Sequence, residues 1–295
     1  RGAGKIARIT TGNKQDITMR LANLQYTARP IEAETLSVIL PLLAEACAEG
    51  ADLVALPECA TIMAKDRNTL MEEAGNEATS RGLSTLREAA AKHQRWLLIG
   101  SLLLNADNGD GQMVNRSFLI SPDGAIHARY DKIHMFDAEL GDGQYYRESD
   151  HYIPGTTAML AHTPLATIGM TICYDLRFPG LYRTLAEAGA QILAVPSAFT
   201  RVTGAAHWQT LLRARAIENS CFVMAPAQTG THDGGRQTWG HSLIINPWGE
   251  ILADGGEAEG ISMADINLAD LPKARHRIPS ITGGRAFTLS ETETD

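Results

Sequence analysis

From Met19 onward, short apolar runs alternate with longer stretches of helical periodicity. RLANLQY at 20–26 reads as a strand, IEAETLSVILPLLAEACAEG at 31–50 as an amphipathic helix ending on Gly50, and DLVALPE at 52–58 as a second strand. That is a β-α-β unit. The theme continues with a helix at 83–94 (LSTLREAAAKHQ) and a strand at 95–104 (RWLLIGSLLL). VNRSFLISPDG at 114–124 then turns back into AIHARYDKIH at 125–134, which predicts a hairpin. Downstream, strands at 165–175, 190–198 and 221–228 alternate with helices at 180–189 and 206–220. SLIINPWGEILADGG at 242–256 closes the series as a hairpin with Pro247 and Gly249 in its turn. No linker or composition break divides the chain and no internal repeat is evident. The pattern therefore predicts one layered α/β domain with mixed sheets over 19–286, followed by a tail at 287–295.

The first 18 residues stand apart. They hold four basic residues and one acid without apolar periodicity, and they precede a methionine suited to start translation. An expression remnant or mis-assigned start is the expectation, with an organelle-targeting leader as the alternative.

Composition narrows the function classes. At 295 residues the chain is long enough for one large core. A net charge of -8 argues against general nucleic-acid binding, which needs a surplus of Lys and Arg on one surface. No apolar run reaches the roughly 18–20 residues of a membrane span. Four cysteines without a CxxC pair fit neither a disulfide framework nor a zinc ribbon, so a reducing, cytoplasmic setting is expected. The absence of HExxH, of a phosphate-binding glycine loop and of clustered histidines predicts no metal and no cofactor.

Three apolar strands end on reactive residues: LVALPE on Glu58, RYDK on Lys132 and IGMTIC on Cys173. Sheets of this class collect ligands at the carboxyl ends of their strands, so these residues are expected to converge. Cys173 precedes a turn and a helix, whose dipole and free amides favour a thiolate. Glu58 suits a general base whose pKa burial would raise, and Lys132 suits a cation aimed at a developing oxyanion. Taken singly, each has a plainer reading, as a buried packing cysteine, a salt-bridged glutamate or a solvated lysine.

Together the three segments resemble the nitrilase superfamily of carbon–nitrogen hydrolases, whose members carry a Glu-Lys-Cys triad in this chain order. LVALPE at 53–58, YDKIHMFD at 130–137 and GMTICYDLRFPGL at 169–181 each look like one of its motifs, and the likeness runs from about Met19 to about Ala286. The resemblance implies a four-layer α-β-β-α sandwich that pairs into a homodimer or higher homo-oligomer. It makes Glu58 the base, Lys132 the oxyanion cation and Cys173 the nucleophile of a thioester acyl-enzyme. The backbone amide of Tyr174 joins Lys132 in the oxyanion hole, and Glu148 is a second site glutamate that holds Lys132 or orients the substrate.

Residues 196–219 and 237–254 resemble the branch acting on deaminated glutathione, with omega-amidases as relatives. That likeness implies a small carboxylate-bearing amide as substrate. Arg177 would clamp the carboxylate, and Phe136, Phe199 and Thr203 would line the pocket; an ion pair of Arg177 with Asp175, and core packing of the two phenylalanines, are the alternatives. Arg213, Arg215 and Glu218 read as ion pairs bracing a helix at a subunit contact. His134, His207 and His241 read as structural, and Cys47, Cys59 and Cys221 as packing positions. Rival functions are omega-amidase, N-carbamoyl amidohydrolase or nitrilase activity, acyl transfer to an amine, and a non-enzymatic binding relative. A serine hydrolase is disfavoured because no G-x-S-x-G elbow exists.

Overall fold

Successive strand residues point to opposite faces, and in this chain both faces are apolar. In the computed structural model, which describes residues 18–106, 108, 111–139 and 145–292, Leu21, Leu53 and Leu98 pack in one cluster with Ile168, Leu193 and Val223. Their neighbours Ala22, Val54 and Leu97 belong to a second cluster with Ile39, Leu43 and Leu86. The latter three come from helices Glu32–Ala48 and Arg81–His93. Strands buried on both sides must lie between layers. Tyr182 of helix Pro179–Glu187, with Trp208 and Leu212 of helix Arg201–Asn219, closes the far side. The chain is a single-domain α-β-β-α sandwich, as the resemblance implies.

One six-stranded sheet runs Gly260–Asn267, Thr18–Gln25, Leu53–Ala55, Trp96–Asn105, Met113–Ile120, Ile126–Asp131. The other runs Met159–His162, Thr167–Met170, Ile192–Ala194, Phe222–Ala225, Leu243–Ile245, Ile251–Asp254. Read in these directions, both sheets pair antiparallel, parallel, parallel, antiparallel, antiparallel. Five strands of each sheet, taken in chain order, therefore share one topology, although the sequence shows no repeat. At one equivalent place the letters still correspond, LVALPE at 53–58 against ILAVPS at 192–197. Buried amides tie the sheets together: Asn23 donates to the Leu243 carbonyl at 3.0 Å, and the Gln25 side chain accepts from the Ser242 N–H at 2.8 Å.

Most expected elements form, and the two expected hairpins pair antiparallel. Helix Arg201–Asn219 begins earlier than the pattern indicates because Thr200 caps it, its hydroxyl accepting from Thr203 N–H. The edge strands Met159–His162 and Gly260–Asn267 and helix Arg67–Ala74 were not foreseen. Thr18, expected as the last residue of the leader at 1–18, already belongs to the first strand, and the rest of that leader, 1–17, lies outside the described residues. Residues 287–292 carry no regular structure, and Phe287 and Leu289 are exposed. The last three residues of the expected tail, 293–295, lie outside the described residues.

Gly100 sits where the strand Trp96–Asn105 passes the two proline-containing segments. A Cβ there would overlap the carbonyl oxygens of Leu56 and Pro57 and crowd the Pro196 ring. Because the obstruction is backbone, relaxation is expensive. Gly100→Ala is expected to destabilise the fold by about 3 kcal/mol or more, read by chemical denaturation. A shift under about 0.5 kcal/mol would show that these segments move apart freely.

Candidate active site

The expected site residues come together. Glu58 lies three residues beyond the strand Leu53–Ala55, Lys132 directly follows Ile126–Asp131, and Cys173 stands three residues beyond Thr167–Met170. All three side chains border one cavity of about 510 Å³ together with Glu148, Phe136, Tyr174, Arg177, Phe199 and Thr203.

Its floor is a buried charge cluster. Lys132, 2% exposed, donates from Nζ to Glu58 Oε1 at 2.9 Å and to Glu148 Oε2 at 2.7 Å. Asn115 Nδ2 bridges the same carboxylates, at 3.1 Å to Glu58 and 3.3 Å to Glu148. Backbone amides complete the shell: Ala198 N–H donates to Glu58 Oε2 at 2.9 Å, and Phe136 N–H to Glu148 Oε2 at 2.6 Å. Gln228 Nε2 holds the Glu58 carbonyl at 3.0 Å. Buried charges persist only with such partners, and removing one partner typically costs about 3–5 kcal/mol.

The electrostatics reverse two expectations. Burial pushes the Glu58 carboxyl up, as foreseen. The Lys132 charge, with hydrogen bonds from Cys173 and Lys132, outweighs it and leaves Glu58 below the ordinary carboxylate value. For Lys132, burial favours the neutral amine, yet Glu148 and Glu58 hold it well above its usual range. Cys173 is the converse. Burial, then the adjacent Glu58 charge, raise its thiol well above 9.0, and Lys132 only partly offsets them. The resting state is a carboxylate beside a neutral thiol, in place of a dipole-stabilised thiolate. The expected turn after Cys173 is a short 3-10 turn, Cys173–Arg177, and the expected helix follows it as Pro179–Glu187.

Cys173 itself occupies the left-handed region at φ 45°, with its N–H donating to the Pro196 carbonyl at 2.9 Å. That conformation costs on the order of 1–2 kcal/mol for a residue with a side chain. Asp175 holds the turn against this strain. Fully buried, it accepts from Ile172 N–H at 2.9 Å, Tyr130 O–H at 2.7 Å and His134 N–H at 3.1 Å, and it lies 2.7 Å from His134 Nδ1. Tyr130 and His134 flank Lys132, so Asp175 fixes the nucleophile's turn and the lysine's segment to each other. Consequently Asp175 forms no ion pair with Arg177.

Around this floor, Phe136 packs against Tyr146 and Tyr174, with ring centroids 4.9 and 5.0 Å apart. Arg177 lies over the Phe199 ring at 5.4 Å and reaches His207 Nδ1 at 3.3 Å. The remaining histidines are structural as expected: His134 stacks on Phe178, and His241 pairs with Asp254. Arg215 and Glu218 form the foreseen ion pair at 2.8 Å, while Arg213 instead holds the Gly249 carbonyl. Asn115, Asp175, Gln228 and Arg236 were missed. Only Asp175 carried a signal, being a polar residue inside an apolar motif.

Comparison with known proteins gives these contacts a context. The carbon-nitrogen hydrolase family profile matches residues 20–276. The chain is similar to a deaminated glutathione amidase of Synechocystis sp., 42% identical over 263 residues that cover 88% of this chain and 96% of the relative. An omega-amidase of Bos taurus is 34% identical over 271 residues, covering 91% and 96%. The crystal structure of the C. elegans NitFhit protein superposes with a TM-score of 0.86 at 34% identity, covering 95% of this chain and 69% of that one. With the profile spanning most of the chain and the fold shared with a solved member, this protein belongs to the carbon-nitrogen hydrolase family, within the nitrilase superfamily.

Proposed function

We propose that the protein is an amidase that cleaves a small carboxylate-bearing amide through a Cys173 thioester, with deaminated glutathione as substrate. The observation that carries this reading is the Glu58 carboxylate, coupled to the Cys173 thiol on one side and to the Lys132 ammonium on the other. A base, a nucleophile and a fixed cation share one cavity.

In the first half-reaction Glu58 takes the Cys173 proton as sulfur attacks the amide carbon. The oxyanion forms against a donor of Lys132, which carries three, and the Tyr174 N–H at the start of the turn. Collapse breaks the C–N bond, and Glu58 returns the proton to the departing amine. That amine is ammonia for a primary amide and the cysteinylglycine dipeptide for deaminated glutathione. In the second half Glu58 deprotonates a water that attacks the thioester. The thiolate leaves and is reprotonated, and a carboxylic acid is released. Glu148 and Asn115 hold Lys132 and Glu58 in place throughout.

Deaminated glutathione is favoured by the relative of that name, and Arg177, a guanidinium fork lining the cavity, supports binding of a 2-oxo acid carboxylate. The omega-amidase reading is second, supported by the Bos taurus relative. We further propose a homodimer in a reducing, cytoplasmic setting. The exposed Val202 and Ile217 of helix Arg201–Asn219 support the contact, and four unpaired cysteines support the compartment.

A panel of deaminated glutathione, 2-oxoglutaramate, an N-carbamoyl amino acid and an aliphatic nitrile, read by product formation, tests the substrate. Deaminated glutathione is expected to give the highest kcat/KM; preference for another member overturns that choice. Cys173→Ala is expected to fold normally and to lose at least about four orders of magnitude in kcat. Full activity in this variant would refute the mechanism.

The resting protonation state is checked by alkylation. Because the Cys173 thiol sits well above 9.0, its reaction with iodoacetamide should show no inflection near or below pH 9 in the free enzyme. An inflection near neutrality would establish a resting thiolate instead.

A further inference from the structure

The cavity carries a charge that the rest of the chain does not. Against a net charge of -8 overall, its described lining holds Lys65, Lys132, Arg147, Arg177 and Arg236 but only two acids, Glu58 and Glu148. Those two carboxylates are taken up by Lys132 on the cavity floor. Arg177 and Arg236, both half-buried, form no salt bridge with any carboxylate among the described residues.

Arg236 is held in a built position. It leaves a tight turn in which Gly234 and Gly235 take φ values of 74° and 84°, and its carbonyl accepts from His232 N–H at 2.8 Å. The buried His232 ring anchors that turn, bonded to the Ala28 carbonyl at 3.1 Å and to Thr238 Oγ1 at 2.8 Å. From there the Arg236 guanidinium lies over the Tyr146 ring at 5.5 Å, and Nη2 donates to the Ala198 carbonyl at 2.9 Å. The N–H of the same Ala198 holds Glu58, so a single residue links Arg236 to Glu58. Its Nε is buried and has no hydrogen-bond partner. Arg236 thus lines the cavity as a charged group with no carboxylate among the described residues to balance it.

We infer that Arg236 is a second carboxylate-recognising residue that sets specificity for amides bearing a carboxylate on each side of the scissile bond. Arg177 takes the carboxylate of the acyl part, and Arg236 takes the carboxylate of the leaving amine. This rests on the proposed amidase reading and refines it, because an omega-amidase substrate that releases ammonia has no second carboxylate for Arg236 to bind. The weak hydration and permanent charge of a guanidinium suit carboxylate capture.

The test uses deaminated glutathione and the same molecule with its terminal carboxylate replaced by a carboxamide, which removes the charge and keeps the shape. The wild-type enzyme is expected to prefer the carboxylate form by roughly ten- to a hundredfold in kcat/KM, mostly through KM. In Arg236→Gln that preference should collapse towards one, and Arg236→Lys should restore part of it. An equal loss on both compounds, or a preference that survives in Arg236→Gln, overturns the assignment. Calorimetric titration of both compounds into Cys173→Ala protein reads the same preference without turnover. A dianion bound through Arg236 but never cleaved by the wild type would refute the substrate reading while supporting this one. Equal binding of the two compounds would overturn it.

Discussion

Two carboxylates and one ammonium buried together impose the tightest constraint in this molecule. None of the three survives out of water alone, and each must meet the others within hydrogen-bonding distance. Glu58, Lys132 and Glu148 come from three different connections, so their meeting fixes the relative positions of two strand ends and the 3-10 turn Glu148–Asp150. The backbone amides of Phe136 and Ala198 are drawn into the same shell. Ala198 belongs to the second sheet's half of the chain, so the cluster also fastens one half to the other.

The repeated topology explains why the site lies between the halves. The two parallel inner segments, LVALPE and ILAVPS, occupy equivalent places in the two sheets and carry a proline at the same position. One ends in Glu58; the other leads to Ala198, whose N–H binds that glutamate. Cys173 follows the neighbouring strand of the second sheet and donates its own N–H to the Pro196 carbonyl. Glu58 and Cys173 thus arrive from opposite sheets, and neither half holds the pair by itself. Gly100 completes the arrangement by letting a third strand pass between the proline segments without a side chain.

Glu58, Lys132 and Cys173 were legible because each breaks a local rule, placing a polar or reactive group at the end of an apolar strand. Asn115 and Gln228 were not, because an amide inside or after a strand looks the same whether it serves a site or a ladder. Their partners are 57 and 170 residues away. The strand Gly260–Asn267 escaped notice for another reason. As an edge strand it buries Ser262 and Ile266 fully, exposes Asp265 and leaves the others half-buried, so its pattern lacks clean alternation. The internal repeat was hidden because packing retains apolar character and length, not letters. The direction of the two pKa shifts was also beyond sequence reasoning, since burial and a neighbouring charge act oppositely and only geometry says which is stronger.

That balance has a chemical consequence. A thiol kept neutral by burial and by Glu58 is a poor target for oxidants, which act on thiolates. Under the proposed mechanism its proton leaves only when a substrate carbonyl is present to accept the sulfur's electrons and Lys132 stabilises the resulting oxyanion. The base is ready beforehand, because Lys132 holds Glu58 ionised. A similar division governs the cavity mouth. The proposed carboxylate-bearing substrate meets a chain of net charge -8, yet at physiological salt surface charges are screened over about 8 Å. Within that reach of the cavity the described lining is cationic, so the local field opposes the global one where binding occurs. The charge of the whole chain therefore does not describe the cavity, where arginines held by turns and rings set the local field.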